Sequence, residues 1–216
     1  MGDIFREIDE ELRQERFEKL WHRYGKIIIA AAVALVVCVG GFKAFEHYQD
    51  KQRVIDSSKF ATASKLLKGG NQIEAQALFS NLGESGSRGY AILSQFKVAA
   101  IKANTGDLIG AIKIYDQIAG NESLDKTLRE AAVIFGVSRQ LDSGQIDRST
   151  LESKLNTLKV NKGAWRHAAK ELHGLIALQA GDLVVARDIF TKIADDFEAP
   201  RNMRARATQV LAVMGK

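Results

Sequence analysis

One phrase, written more than once, constrains what this chain can fold into. "NTGDLIGAIKIYDQIAG" begins at Asn104, and a near copy, "QAGDLVVARDIFTKIAD", begins at Gln179. Aligning on a glycine five positions ahead of a small residue yields four units: Gly70 with Ala75, Gly106 with Ala111, Gly144 with Ser149, and Gly181 with Ala186. The glycines lie 36, 38 and 37 residues apart. Four positions after the small residue stand Phe79, Tyr115, Ser153 and Phe190, and three further on Leu82, Ile118, Asn156 and Ile193. The third copy breaks the aromatic position, with Leu155 and Leu158 as the expected substitutes. A fixed period of this length is the signature of stacked structural units.

Each recurring residue has a physical reason. Glycine just past a helix closes the turn in a left-handed conformation without steric cost. The Asn or Asp after Gly70, Gly106 and Gly181 is placed to cap the next helix by accepting backbone N–H bonds. A small residue lets two helices cross closely, and the aromatic fills the space between neighbouring hairpins. Upstream of each glycine runs another apolar-periodic stretch: 60–68, 90–104, 128–142 and 165–180. Each unit therefore reads as helix, glycine turn, helix. One hairpin cannot bury its own apolar face, so the copies are expected to stack into a solenoid. The stretch from Pro200, with Ala205, Leu211 and Met214, reads as a last capping helix whose outer face carries Arg201, Arg204 and Arg206.

Composition agrees with an all-α chain. Among 216 residues there is one proline, and helix interiors exclude proline. Alternating runs of β-branched and aromatic residues are missing. Residues 1–50 carry 7 Lys+Arg against 9 Asp+Glu, and residues 51–216 carry 24 against 17. The excess cations of the second part are scattered and not striped, which suits a solvated surface, and no nucleic acid is expected as a partner.

The N-terminal part reads differently. From Ile27 to Phe42 no residue is charged: "IIIAAAVALVVCVGGF". Lys26 and Lys43 flank it, and Trp21, Tyr24, Phe45 and Tyr48 stand outside its ends. That layout leads to the expectation of a transmembrane helix over 24–45, between an amphipathic segment at 1–23 and a repeat domain at 46–216. Arg13, Arg16, Lys19, Arg23 and Lys26 precede the run, which favours a cytoplasmic N-terminus and a C-terminal domain across the membrane. Ile4, Phe5, Ile8, Leu12, Phe17, Leu20, Trp21 and Tyr24 follow spacings of three and four, one face of a helix. Membrane lipids are therefore expected contacts, with Trp21 and Tyr24 as candidate docking residues.

No catalytic constellation is present in the sequence. His22, His47, His167 and His173 do not form a His-Glu-x-x-His pattern, and no phosphate-binding Gly-x-x-x-x-Gly-Lys loop occurs. The single cysteine, Cys38, cannot build a disulfide framework within the chain. No enzyme activity, cofactor or metal is expected.

The repeat residues resemble tetratricopeptide repeats. That family carries Gly or Ala at its eighth position, Ala at the twentieth and an aromatic at the twenty-fourth, and Ala63, Ala99, Val137 and Gly174 fall here at the eighth. The resemblance implies about four helical hairpins with the first helix of each lining a concave groove. Carrying over the fifth, ninth and thirteenth positions gives Phe60, Ser64 and Lys68, then Phe96, Ala100 and Asn104. The later units give Ile134, Ser138 and Asp142, then Glu171, Leu175 and Gln179. The order of parts, with "EIDEELRQERFEKLWHRYGK" ahead of the apolar run, resembles the ancillary-subunit family of the SecYEG translocon, the YfgM-like family. That resemblance implies an inner-membrane protein with a periplasmic repeat domain. It further implies work beside the Sec channel and a PpiD-type periplasmic chaperone, assisting exported protein segments. The open alternative is a regulatory or structural adaptor of the cell envelope that binds another partner through the groove.

Overall fold

The computed structural model describes residues 2–144, 147–160 and 163–215, without the side chains of residues 2–20, 28, 31, 32, 159 and 160. The described residues form nine α-helices: α1 Gly2–Lys68, α2 Gln72–Ser85, α3 Arg88–Asn104, α4 Leu108–Ala119, α5 Lys126–Asp142, α6 Arg148–Val160, α7 Arg166–Gln179, α8 Leu183–Asp195 and α9 Arg201–Met214. They fall into two compact units, Met1–Ile55 and Asp56–Lys216, and α1 contributes to both.

In the first unit the expected transmembrane helix is overturned. Among the described residues, no helix is long and apolar enough to cross a membrane. The uncharged run from Ile27 to Phe42 has 16 residues. At the helical rise it spans about 24 Å, against a hydrocarbon core of about 30 Å. Six of its residues are alanine or glycine, which contribute little hydrophobicity, and widening it to 24–45 takes in Lys26 and Lys43. The expected single-pass inner-membrane placement, with a cytoplasmic N-terminus and a periplasmic C-terminal domain, is withdrawn with it. Trp21 and Tyr24 are exposed, and the Arg23 guanidinium lies 5.8 Å from the Tyr24 ring centroid. Ile4, Phe5, Ile8, Leu12, Phe17 and Leu20 lie outside the described side chains.

The second unit is an all-α, solenoid-like stack of hairpins. The C-terminal part of α1 packs on α2 through Phe60, Ala63, Ala75 and Phe79. In the same way α3 pairs with α4, α5 with α6, and α7 with α8, while α9 packs against α8. Three of the hairpin turns share one hydrogen-bond pattern. The N–H groups of Gly70, Gly106 and Gly181 donate to the carbonyls of Leu67, Ala103 and Leu178. Those of Asn71, Asp107 and Asp182 reach back to Leu66, Lys102 and Ala177 at 2.8–3.0 Å. This is a Schellman closure, and it requires a left-handed glycine. The φ angles of Gly70, Gly106, Gly144 and Gly181 are +87°, +91°, +69° and +78°. The residue after the glycine then serves the next helix: Asp107 Oδ1 accepts the Gly110 N–H at 2.9 Å, and Asp182 Oδ1 accepts that of Val185 at 3.2 Å.

The third hairpin departs by two residues. Its capping aspartate is Asp147, three places after Gly144, where Asp107 and Asp182 directly follow their glycines. Asp147 accepts the Ser149 N–H at 3.2 Å and the Ser149 hydroxyl at 2.9 Å. Everything downstream shifts with the cap. Ser149 and Ser153 are exposed, and Leu151, Leu155 and Leu158 take the buried places held elsewhere by Ala, aromatic and Ile. Leucine at the close-approach position holds α6 away from α5, so that pair is packed more loosely than α3 with α4 or α7 with α8, and α6 rests mainly on α7.

The core is distributed and not central. Ala63, Ala75, Phe79, Val98 and Ile101 join α1, α2 and α3, and Ile92, Ala99, Ala111, Tyr115, Ile118 and Ala132 join α3, α4 and α5. Ile134, Val137, Leu151, Leu155 and Ile176 are among the residues that join α5, α6 and α7, and Ala177, Ala186, Phe190, Ile193 and Ala207 join α7, α8 and α9. Each cluster draws on three consecutive helices, so every hairpin is stabilised by its immediate neighbours.

Candidate functional site: an aromatic ladder across the first helices

The first helices of the hairpins bring aromatic rings together across repeats. Phe96 on α3 meets Phe135 on α5 with centroids 5.9 Å apart at 81°, and Phe135 meets Trp165 at 5.9 Å and 70°. Tyr115 on α4 lies behind both, 6.0 Å from Phe96 and 5.9 Å from Phe135. The two pairs of Phe135 with Phe96 and Trp165 are edge-to-face, the Tyr115 pairs are tilted, and all four separations lie in the favourable range for aromatic pairs. At the front, Phe60 packs edge-on against Phe79 at 5.2 Å and at a tilt against Tyr90 at 5.7 Å. The ladder is pinned at its far end, where Trp165 Nε1 donates to the Thr127 carbonyl at 2.9 Å. Burial pushes the Tyr115 phenol up from its ordinary value, against the opposing charge of Arg139, so the ring that backs the ladder stays neutral.

The face is not fully closed by its own side chains. Leu93, one turn before Phe96, is 45% exposed and Phe135 is 39% exposed. Lys97 on the same helix is exposed and makes no ion pair among the described residues.

The groove residues read from the sequence divide into distinct environments. Phe96 is half-buried within the ladder, and Phe60 is half-buried against Phe79 and Tyr90. The Ser64 hydroxyl donates to the Phe60 carbonyl of its own helix at 2.8 Å. Ala100 and Ser138 are half-buried, while Lys68, Asn104 and Gln179 are exposed at or near helix ends. Asp142 is exposed and paired with Arg139 at 3.0 Å. Ile134 is turned inward and packs with Val137, Leu141 and Leu155. Leu175 is half-buried against the two C-terminal core clusters. Both Glu171 oxygens accept from Arg206 at 2.8 Å, a bidentate clamp between α7 and α9. Of these, the structure joins Phe96 to a ladder whose other rungs, Phe135 and Trp165, the sequence reading did not single out. Phe135 directly follows Ile134, and the change from an inward to a partly exposed residue depends on one helical step of 100°.

Among the repeat-defining residues, Ala75, Phe79, Ala111, Tyr115, Ala186 and Phe190 are buried. Among the described residues no group of three or more His, Cys, Asp or Glu side chains is placed to hold a metal ion, and Cys38 is exposed.

A row of stacked helical hairpins with apolar and aromatic side chains left partly uncovered on its first helices defines a class: a scaffold that binds other proteins. The sequence profile of the tetratricopeptide repeat-like domain matches residues 18–211, and the chain belongs to that family. Members of this family are typically interaction scaffolds without catalysis. No curated protein matches the chain.

Proposed function

We propose that the chain is a non-enzymatic scaffold of protein export that holds an apolar segment of a partner against α3 and α5. The observation that carries this reading is the ladder of Phe96, Phe135 and Trp165 with Leu93 and Phe135 partly exposed at its front. Covering that apolar surface releases water and is worth about 25 cal/mol for each Å² removed. Lys97, exposed and in no ion pair among the described residues, adds a preference for a segment with a carboxylate beside its apolar residues. The resemblance of the stretch 11–26 to the ancillary-subunit family supplies the expected partners: the SecYEG translocon, a PpiD-type chaperone and exported chains.

A photoreactive residue replacing Leu93, and another replacing Trp21, would be crosslinked in whole cells and the captured proteins identified by mass spectrometry. Capture of a chaperone or a secreted chain at residue 93 and of a Sec channel subunit at residue 21 supports the export assignment. Capture of envelope proteins unrelated to export overturns that assignment and leaves an adaptor. Loss of capture in a Phe135→Asp variant that keeps its helical circular dichroism locates binding at the ladder. Unchanged capture places it elsewhere.

A further inference from the structure

A second register runs through the solenoid, 14 positions ahead of each turn glycine: Asp56, Ile92, Glu130 and His167. All four side chains are buried. The polar ones face the segment that leads into the next first helix. Asp56 Oδ2 accepts the Ser87 N–H at 2.6 Å, at the start of α3. The Glu130 carboxylate lies 3.4 Å from where a side chain on Gly163 would begin, just ahead of α7. His167 faces the α8–α9 loop, its Nδ1 3.5 Å from Asp196 Oδ2. The polar members of the register thus sit where one hairpin meets the segment that starts the next, and at the last joint that member is a titratable imidazole.

That imidazole is poorly held. It is 5% exposed, and neither ring nitrogen makes a hydrogen bond. The charged groups that face it are Arg166 and Lys170 of its own helix and Asp196 and Glu198 of the loop. Asp196 is shared, lying 3.7 Å from Lys170, and Glu198 is engaged by Arg166 at 3.2 Å. The other histidine of α7, His173, faces Glu152 of α6 instead, at 3.7 Å.

We propose that the joint between the fourth hairpin and α9 is an acid-operated latch, in which protonation of the buried His167 undocks α9 while the preceding hairpins stay folded. Undocking breaks the Glu171–Arg206 clamp, frees the Glu171 carboxylate and uncovers Ala177, Ala186, Phe190 and Ile193, which Ala207 of α9 helps to bury. The solenoid then presents a fresh apolar end with a new negative charge beside it.

The sign follows from the surroundings. Burial, then the Arg166 charge, hold the imidazole below its ordinary 6.5, against the opposing pull of Asp196. The docked state therefore binds the proton less well than the open state. Docking is at full strength above pH 6.5 and is lost as the pH falls from there through the docked-state value.

Hydrogen exchange of the full chain, read by mass spectrometry at pH 8 and pH 5.5 and corrected for intrinsic rates, tests this. An open-state imidazole of ordinary affinity limits the effect to about tenfold over that range. Opening of residues 201–214 is expected to rise by up to that factor relative to residues 92–103, and the rise is expected to vanish in His167→Gln. Equal changes in the two segments, or a pH dependence that survives in His167→Gln, overturns the latch. Should that variant fold poorly, the wild-type ring titration by NMR decides: a midpoint below 6.5 for His167 supports the latch, and one at or above 6.5 refutes it.

Discussion

Gly174 and Phe190 allow the packing logic of the repeat to be tested as a pair. Gly174 stands at the eighth position of the fourth unit, and a Cβ there would lie 3.0 Å from Phe190 Cζ, 3.1 Å from Phe190 Cε2 and 3.1 Å from Ile189 Cγ2. Phe190 is fully buried and cannot swing away. Gly174→Ala gains up to about 1 kcal/mol of helix propensity but overpacks the ring at a cost of about 1–3 kcal/mol. The expected net result is a loss of about 1 kcal/mol. Phe190→Leu leaves part of the ring space empty and costs about 1–2 kcal/mol by itself. Leucine has no atom equivalent to Cζ or Cε2, so in the double variant two of the three close contacts are gone, the alanine methyl needs only a few tenths of an ångström from Ile189 Cγ2, and the helix propensity is recovered. The double variant is therefore expected to be at least as stable as Phe190→Leu, with a coupling of about 1–2 kcal/mol between the sites. Urea unfolding of the full chain, followed by far-ultraviolet circular dichroism with slopes compared among the variants, measures it. Additivity within about 0.5 kcal/mol would refute the argument that the ring is what demands glycine at this position.

Three further outcomes follow from the same geometry. Asp56→Ala orphans the Ser87 N–H at the entry to α3 and is expected to cost about 1–3 kcal/mol, whereas Asp50→Ala, which removes an exposed partner of Arg53, leaves the urea midpoint nearly unchanged. Gly106→Ala forces a side chain into φ +91° and is expected to cost about 1–2 kcal/mol, while Gly120→Ala, at φ −81°, is tolerated in the same assay. The Lys102 ammonium, and then the Gly110 N–H, hold the Asp107 carboxyl below its ordinary 3.8. Its contribution is present above that value and lost as the pH falls through the folded-state value, so Asp107→Asn should flatten the acid limb of a pH–stability profile, and an unchanged limb excludes the cap as its source.

The sequence alone determined the helical period, because each turn needs a left-handed glycine and a capping side chain, and both are local requirements carried by single residues. Gly70, Gly106 and Gly181, with the Asn or Asp that follows each, could be read without knowing what they pack against. Alignment on glycine nevertheless misplaced the third unit, where the cap sits two residues later at Asp147 and moves the buried row to Leu151, Leu155 and Leu158. The aspartate itself was the available signal. The apolar run at 27–42 suggested a membrane span from local hydropathy, but crossing a bilayer depends on length and apolarity together, and among the described residues no helix is long and apolar enough. The interaction face depended on tertiary structure. Whether Ile134 or Phe135 points outward turns on one residue's rotation about α5, and whether Phe96, Phe135 and Trp165 form one surface depends on how α3, α5 and α7 stack. Stacking is set by contacts between residues nearly 40 positions apart, and no local pattern encodes the angle at which two hairpins meet.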